Sequence, residues 1–374
     1  MIFFSPSSGR PLVSDTPHSL ADGDERWPVI DGIAYLRAGS EALAQRSVAE
    51  LDGGDRTAAL CLLLAENDLW WDQPPPPDAQ LRRVVEEQST LSLREAMELL
   101  GYGRVGTYFA HRWSDPTYVA GLGLLDAHWG EPKSVFELAC GIGHYLREIG
   151  RLGITATGGD IVFSKLWVAR HWVAGPAPNL ICFDADAPWP FAIDADLAFC
   201  HDAFYFFNDK LRVAAQLLAA ASRGTVLLSH IHNRAWPNFS SGAAITLSEL
   251  SELFPDAKLY NDQALTVAAV SGNVPSAGEM LDQVEAFALA TGPALQPARA
   301  ARGPLSRPPP GSRLRRNPVC SDGNFSWPSY RYAQEYGPRA TYRCDSSVPA
   351  EARMDAAWAE TAARRDLLDL PERW

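Results

Sequence analysis

From Ser134 to Asn233 the chain alternates strand-like and helix-like runs. SVFELAC is followed by HYLREIGRLG, TATGGDIV by SKLWVARHWV, then NLICFDA, then DLAFCHDAFYFF followed by DKLRVAAQLLAAAS, and finally GTVLLSHIHN. This pattern over about 100 residues predicts a parallel sheet with helices on both faces, an α/β fold. TLSELSELFP then reads as a helix, AKLYND and ALTVAAV as a closing strand pair, and GEMLDQVEAFALATG as a further helix.

Four regions are expected. Residues 1–36 are rich in Pro, Gly, Ser and Asp and read as a small β-rich appendage. Residues 37–130 read as a helical cover, broken by the stiff run QPPPPD, with Ser92 and Glu95 forming a capping box. Residues 131–272 carry the alternating pattern. Residues 273–374 form a C-terminal extension: a Pro/Arg-rich link, the aromatic FSWPSYRYAQEYG and a charged helix.

Composition narrows the partners. The 374 residues are 47% hydrophobic, enough for a sizeable core, and carry a formal net charge of -12. So acidic a chain is poorly suited to a phosphate backbone, and its basic cluster Arg313, Arg315 and Arg316 reads as a solvated loop or as partners of the chain's own carboxylates. No nucleic-acid or membrane partner is expected. No run is apolar for long enough to span a bilayer and the N-terminus lacks a signal layout, which predicts a cytoplasmic protein. None of the six cysteines is spaced as CxxC, so neither a zinc ribbon nor a disulfide framework is expected.

The stretch ELACGIGH ends the first strand on two close glycines, Gly141 and Gly143. Glycine there permits a tight turn and close approach of a ligand to the backbone, and ligands of such sheets bind at the carboxyl ends of the strands. Asp160 ends the next strand and can accept from both hydroxyls of a ribose; Asp184 ends the third. A dinucleotide favours a third small residue where Leu146 stands, and a phosphate loop needs a Lys followed by Ser or Thr. The ligand so described has an adenosine but no phosphate chain.

ELACGIGH, GGDIV, CFDADAPWPF, DLAFCHDAFYFF and GTVLLSHIH together resemble the motifs of class I, Rossmann-like, S-adenosylmethionine-dependent methyltransferases. The resemblance implies a seven-stranded sheet whose last strand is antiparallel, with S-adenosyl-L-methionine as cofactor. By position, Glu137, Ala139, Gly141 and Gly143 would form the loop around its amino-acid end. Asp160 would hold the ribose, Ile161, Asp184 and Ala185 the adenine, and His201 would lie near the methionine part. The N-terminal FSPSSGRPL with WPVIDGIAYL resembles the zinc-ribbon module that precedes some bacterial methyltransferases. Ser5 and Ser8 stand where that module has cysteines, and serine is no useful zinc ligand.

Methyl transfer needs an aligned acceptor and sometimes a base. His201 with Asp202, and His230, are the catalytic candidates. No metal site is expected, because these residues lack the acidic ligand pattern of catechol-type methyltransferases. Tyr108, His111, Trp113, Tyr205 and His232 are the candidate acceptor-binding residues, with RAWPNFSSG as a second wall. These features predict O- or N-methylation of a small molecule. A methyltransferase-like scaffold without turnover, an NAD-linked oxidoreductase, and assembly into homo-oligomers stay open at this level.

Overall fold

The computed structural model describes residues 1–67, 71, 73–237 and 242–374. Seven strands form the centre: β1 (Ser134–Leu138), β2 (Thr155–Asp160), β3 (Asn179–Cys182), β4 (Leu197–His201), β5 (Thr225–His232), β6 (Lys258–Asn261) and β7 (Ala286–Thr291). Their order across the sheet is β6-β7-β5-β4-β1-β2-β3. The first five run parallel, while β7 is antiparallel to both β5 and β6. Every residue of β4, β5 and β7 is buried, as expected for strands covered on both faces. The chain builds outward from β1 to β3, then crosses back to β4 on the other side. The strand order therefore reverses between β1 and β4, and the crevice for a ligand opens at their carboxyl ends.

Three segments differ from their sequence reading. ALTVAAV lies in the helix Asp262–Ser271, capped by Asn261 and ended by Gly272 in the left-handed region, whereas AFALAT is β7. Both runs are apolar throughout, so periodicity cannot separate a buried strand from a buried helix. The last sheet strand thus lies beyond residue 272. The expected charged C-terminal helix is only Ala359–Ala363; around it, Arg313–Arg316, Glu351–Arg353 and Leu367–Leu368 form a small sheet. Arg313 pairs there with Glu351.

The N-terminal appendage joins the main sheet. Ile33–Tyr35 runs parallel to β3, four antiparallel strands continue outward from it, and Phe191–Ala192 pairs at the far edge, giving thirteen strands among the described residues. At its two tight turns Ser8 donates to Asp22 (2.6 Å) and Ser5 to Glu25 (3.3 Å). Hydroxyl–carboxylate bonds hold these turns together. The cysteine expectation is corrected at one place: Cys320 and Cys344 form a disulfide, brought together by folding across 24 residues of sequence rather than by a local motif.

The cover consists of helices Glu41–Asp52, Arg56–Leu64, Asp78–Glu86, Leu93–Leu99, Gly103–His111 and Pro116–Ala127, and the Ser92–Glu95 capping box is present. Pro116–Ala127 is buried on all sides. At Gly121 it comes so close to His201 and Tyr145 that a Cβ would strike both side chains. Among the described residues no helix is long and apolar enough to cross a membrane.

Candidate active site

A cavity of about 480 Å³ opens at the carboxyl ends of β1, β2 and β4. Of the residues singled out in the sequence, Glu137, Ala139, Gly141, Asp160, Ile161, Asp184, Ala185, His201, Asp202, Tyr108 and Tyr205 line it. Gly143, His111, Trp113, His230 and His232 do not.

The loop after β1 takes positive φ at Ala139, Gly141 and Gly143 (55°, 55° and 80°). Asp160 anchors it. One carboxylate oxygen accepts from the Gly141 N–H and the other from the Val162 N–H, each at 3.0 Å. Oε2 of Glu137 is buried and has no hydrogen-bond partner among the described residues. Burial, aided by the nearby Asp160 charge, pushes the Glu137 carboxyl well above its usual range. Asp184 accepts from the Asp186 N–H at 2.9 Å. Asp186 is committed elsewhere, to the backbone of Asn208 and Asp209 at 2.9–3.0 Å.

The other end of the cavity is built around Asp202. This residue has φ of 53°, a left-handed conformation rare outside glycine. Tyr108 donates to its Oδ2 (2.6 Å) and Tyr205 to its Oδ1 (2.8 Å). Arg112 lies 3.3 Å from Oδ2 and also binds Asp115 and Thr117, each at 2.6 Å. Burial alone would raise the Asp202 carboxyl, but His230, Arg112 and the neighbouring histidines hold it well below the usual range. His201 is buried with neither ring nitrogen hydrogen-bonded, and burial with the Arg112 charge keeps it neutral.

The pairing of β5 with β7 shifts register between Leu228 and Ile231, and His230 takes φ of 52°. Two positions apart on β5, both histidines turn to the same carboxylate: Nε2 of His230 lies 3.9 Å and Nε2 of His232 4.0 Å from Oδ1 of Asp202. Burial would lower His230, but Asp262, 2.9 Å from its Nδ1, and Asp202 raise it to about 9. His232, under burial and the His230 charge, is lowered to about 3, and its ring stacks on Tyr205 at 3.8 Å.

His111 turns away from the cavity, bonding the Thr107 carbonyl at 2.8 Å and packing edge-on against Tyr332 and Trp374. Trp113 is a buried packing partner of His144, with ring centroids 4.3 Å apart. Of the RAWPNFSSG wall, residues 238–241 lie outside the described residues. Sequence reasoning missed Arg112, which carries no motif, and the helix Tyr330–Tyr336, which brings Tyr332, Glu335 and Tyr336 to the cavity. The only sequence signal for that helix is the aromatic density of FSWPSYRYAQEYG.

This strand order, glycine loop and pair of strand-end carboxylates define a Rossmann-like methyltransferase domain of class I. Residues 136–228 match the methyltransferase-domain family, and the cofactor of this domain is S-adenosylmethionine. None of the curated proteins compared with the chain matches it. Among solved structures the chain is similar to the plantazolicin methyltransferase BpumL in complex with S-adenosylhomocysteine, at 17% identity and TM-score 0.35, covering 57% of this chain and 97% of that one. A methyltransferase from Mesorhizobium loti gives 18%, 0.36, 49% and 97%. The phosphoethanolamine N-methyltransferase 2 of Haemonchus contortus gives 18%, 0.35, 50% and 48%.

Proposed function

We propose that the protein transfers the methyl group of S-adenosylmethionine to an oxygen or nitrogen of a small, largely apolar molecule. One observation carries this reading. The glycine loop, the β2 and β3 carboxylates and the His201–Asp202 corner all face one cavity, beneath tyrosines from both the cover and the C-terminal extension. Its volume lies in the range of small-molecule sites.

The residues present fit the cofactor. The partnerless Oε2 of Glu137 is a buried acceptor suited to an ammonium group. Asp160 keeps lone pairs for ribose hydroxyls beyond its two backbone bonds, Ile161 offers an apolar face for adenine, and Asp184 with Ala185 borders it. Ala139 and Gly141 provide a floor of backbone. When bound, the cofactor supplies a methyl group already activated on sulfur. The chain's own contribution is to align the acceptor, exclude water and take up a proton. His201 is neutral, and both its ring nitrogens are unpaired among the described residues, so it is free to accept from the acceptor group. With no ion at its Nε2, His230 carries its proton up to about pH 9 and is bonded to Asp262, so it supports Asp202 electrostatically rather than acting as a base. Tyr108 and Tyr205 border the acceptor end.

Calorimetry with S-adenosylmethionine, its demethylated product and NAD tests the cofactor, and a metabolite panel with labelled methyl donor tests transfer. Binding of the sulfur compounds with turnover on a panel member is expected. Binding of NAD alone, or cofactor binding without transfer to any acceptor, would overturn this reading.

A further inference from the structure

We propose that Asp202, His230 and His232 bind a divalent first-row transition ion beside the acceptor end of the cavity, which Asp202 alone of the three lines. One ligand atom from each lies within 4.8 Å of the other two. Three ligand atoms bonded to one ion at about 2.0–2.2 Å lie about 3.3–3.6 Å apart, so each must shift inward by roughly half an ångström to close the site. Two imidazoles with one carboxylate suit zinc or iron(II) better than magnesium or calcium.

Three independent features favour an ion. Asp262 holds Nδ1 of His230 at 2.9 Å, and also accepts from the His230 N–H (3.1 Å) and the Ser229 hydroxyl (3.2 Å). That carboxylate–histidine arrangement fixes the ring with Nε2 toward Asp202, as it does in metal centres. His232 is 3% exposed and its ring makes no hydrogen bond among the described residues. Two of the three residues, Asp202 and His230, hold left-handed backbone, a conformation that clusters at functional sites. Charge agrees as well: Asp202 and Asp262 bring two carboxylates to one histidine, and Arg112 answers only the Oδ2 side of Asp202.

Tyr205, which lines the cavity, places its hydroxyl 2.8 Å from the same Oδ1. An ion there would add a Lewis acid where the acceptor's reacting atom is expected. That role rests on the proposed function; the binding itself does not.

The test uses the whole chain without a polyhistidine tag, stripped by chelator. It is titrated with Zn²⁺ by calorimetry and with Co²⁺ by visible absorption. About one equivalent should bind with micromolar or tighter affinity. His232→Gln and Asp202→Asn should each weaken binding at least about tenfold, and Asp262→Asn, a positioning residue, by about 10–100-fold. Circular dichroism identifies variants that fail to fold, and the wild-type titration decides the matter without them. No stoichiometric binding by wild type at about 100 μM ion, or unchanged affinity in folded variants, overturns the proposal. Calorimetry with S-adenosylhomocysteine on the same samples separates the two readings. Ion binding without it sinks the proposed function alone; its binding without an ion sinks this inference alone.

Discussion

The phenol of Tyr108 donates a 2.6 Å hydrogen bond to Oδ2 of Asp202 and so ties the helical cover to the end of β4. The two residues stand 94 positions apart. The bond closes one side of the cavity and answers part of a buried negative charge.

Tyr108→Phe removes one donor from that carboxylate. A hydrogen bond to a charged group contributes about 1.5–3 kcal/mol. The variant should melt earlier and transfer methyl at least about tenfold more slowly, with affinity for S-adenosylhomocysteine near wild type. Unchanged turnover would show that this contact is structural only.

Asp160→Ala should weaken S-adenosylhomocysteine binding at least about tenfold, through both the sugar contact and the freed Gly141 N–H. Calorimetry measures it, with circular dichroism confirming the fold. Wild-type affinity in a folded variant would remove Asp160 from the ribose role.

Gly121→Ala tests how His201 is placed. The added methyl meets the His201 ring and the Tyr145 hydroxyl across a fully buried helix. Overpacking of this kind costs about 1–3 kcal/mol. Denaturant unfolding should show that loss, and transfer should slow because His201 must shift. An unaltered midpoint would mean the helix moves freely.

His128 should make stability depend on pH. It is buried, with Nε2 2.8 Å from the Tyr260 hydroxyl, and burial lowers it to about 4. The unfolded chain binds this proton below about pH 6.5, the folded chain only below about 4. The stabilisation is therefore complete above pH 6.5 and is lost as pH falls toward 4, on the order of 3 kcal/mol in all. Urea titrations from pH 7 to 4 should show a shallower decline in His128→Gln than in wild type. Parallel declines would refute the assignment.

Reducing the Cys320–Cys344 disulfide opens a loop of 24-residue separation. Loop-closure entropy puts its contribution at about 3 kcal/mol. Cys344→Ser should lower the melting temperature and make Tyr332 and Tyr336, which share a small core with this disulfide, accessible to nitration. If melting is the same with and without reductant, the cross-link does not stabilise this region.

The parallel sheet, the glycine loop and the strand-end acids Asp160 and Asp184 were legible because each depends on local order. A strand, a tight turn and a helix follow one another within about 25 residues, and the carboxylates fall at strand ends that periodicity locates. Legibility stopped where an apolar run could be strand or helix, as in AFALAT and ALTVAAV. AFALAT is buried throughout, and the exposed side of ALTVAAV carries Ala264 and Val267, so neither run shows the polar face that would distinguish them.

The sequence by itself determined which backbone segments meet the crevice and what kind of ligand they suit, since those depend on residues near in the chain. Only the tertiary structure decided what closes it. Ile33–Tyr35 extends the sheet, Tyr330–Tyr336 supplies a wall from more than a hundred residues away, and Asp202 at the end of β4 meets His230 and His232 of β5. Such contacts are set by long-range packing and strand register, which leave no periodic trace in the residues that make them.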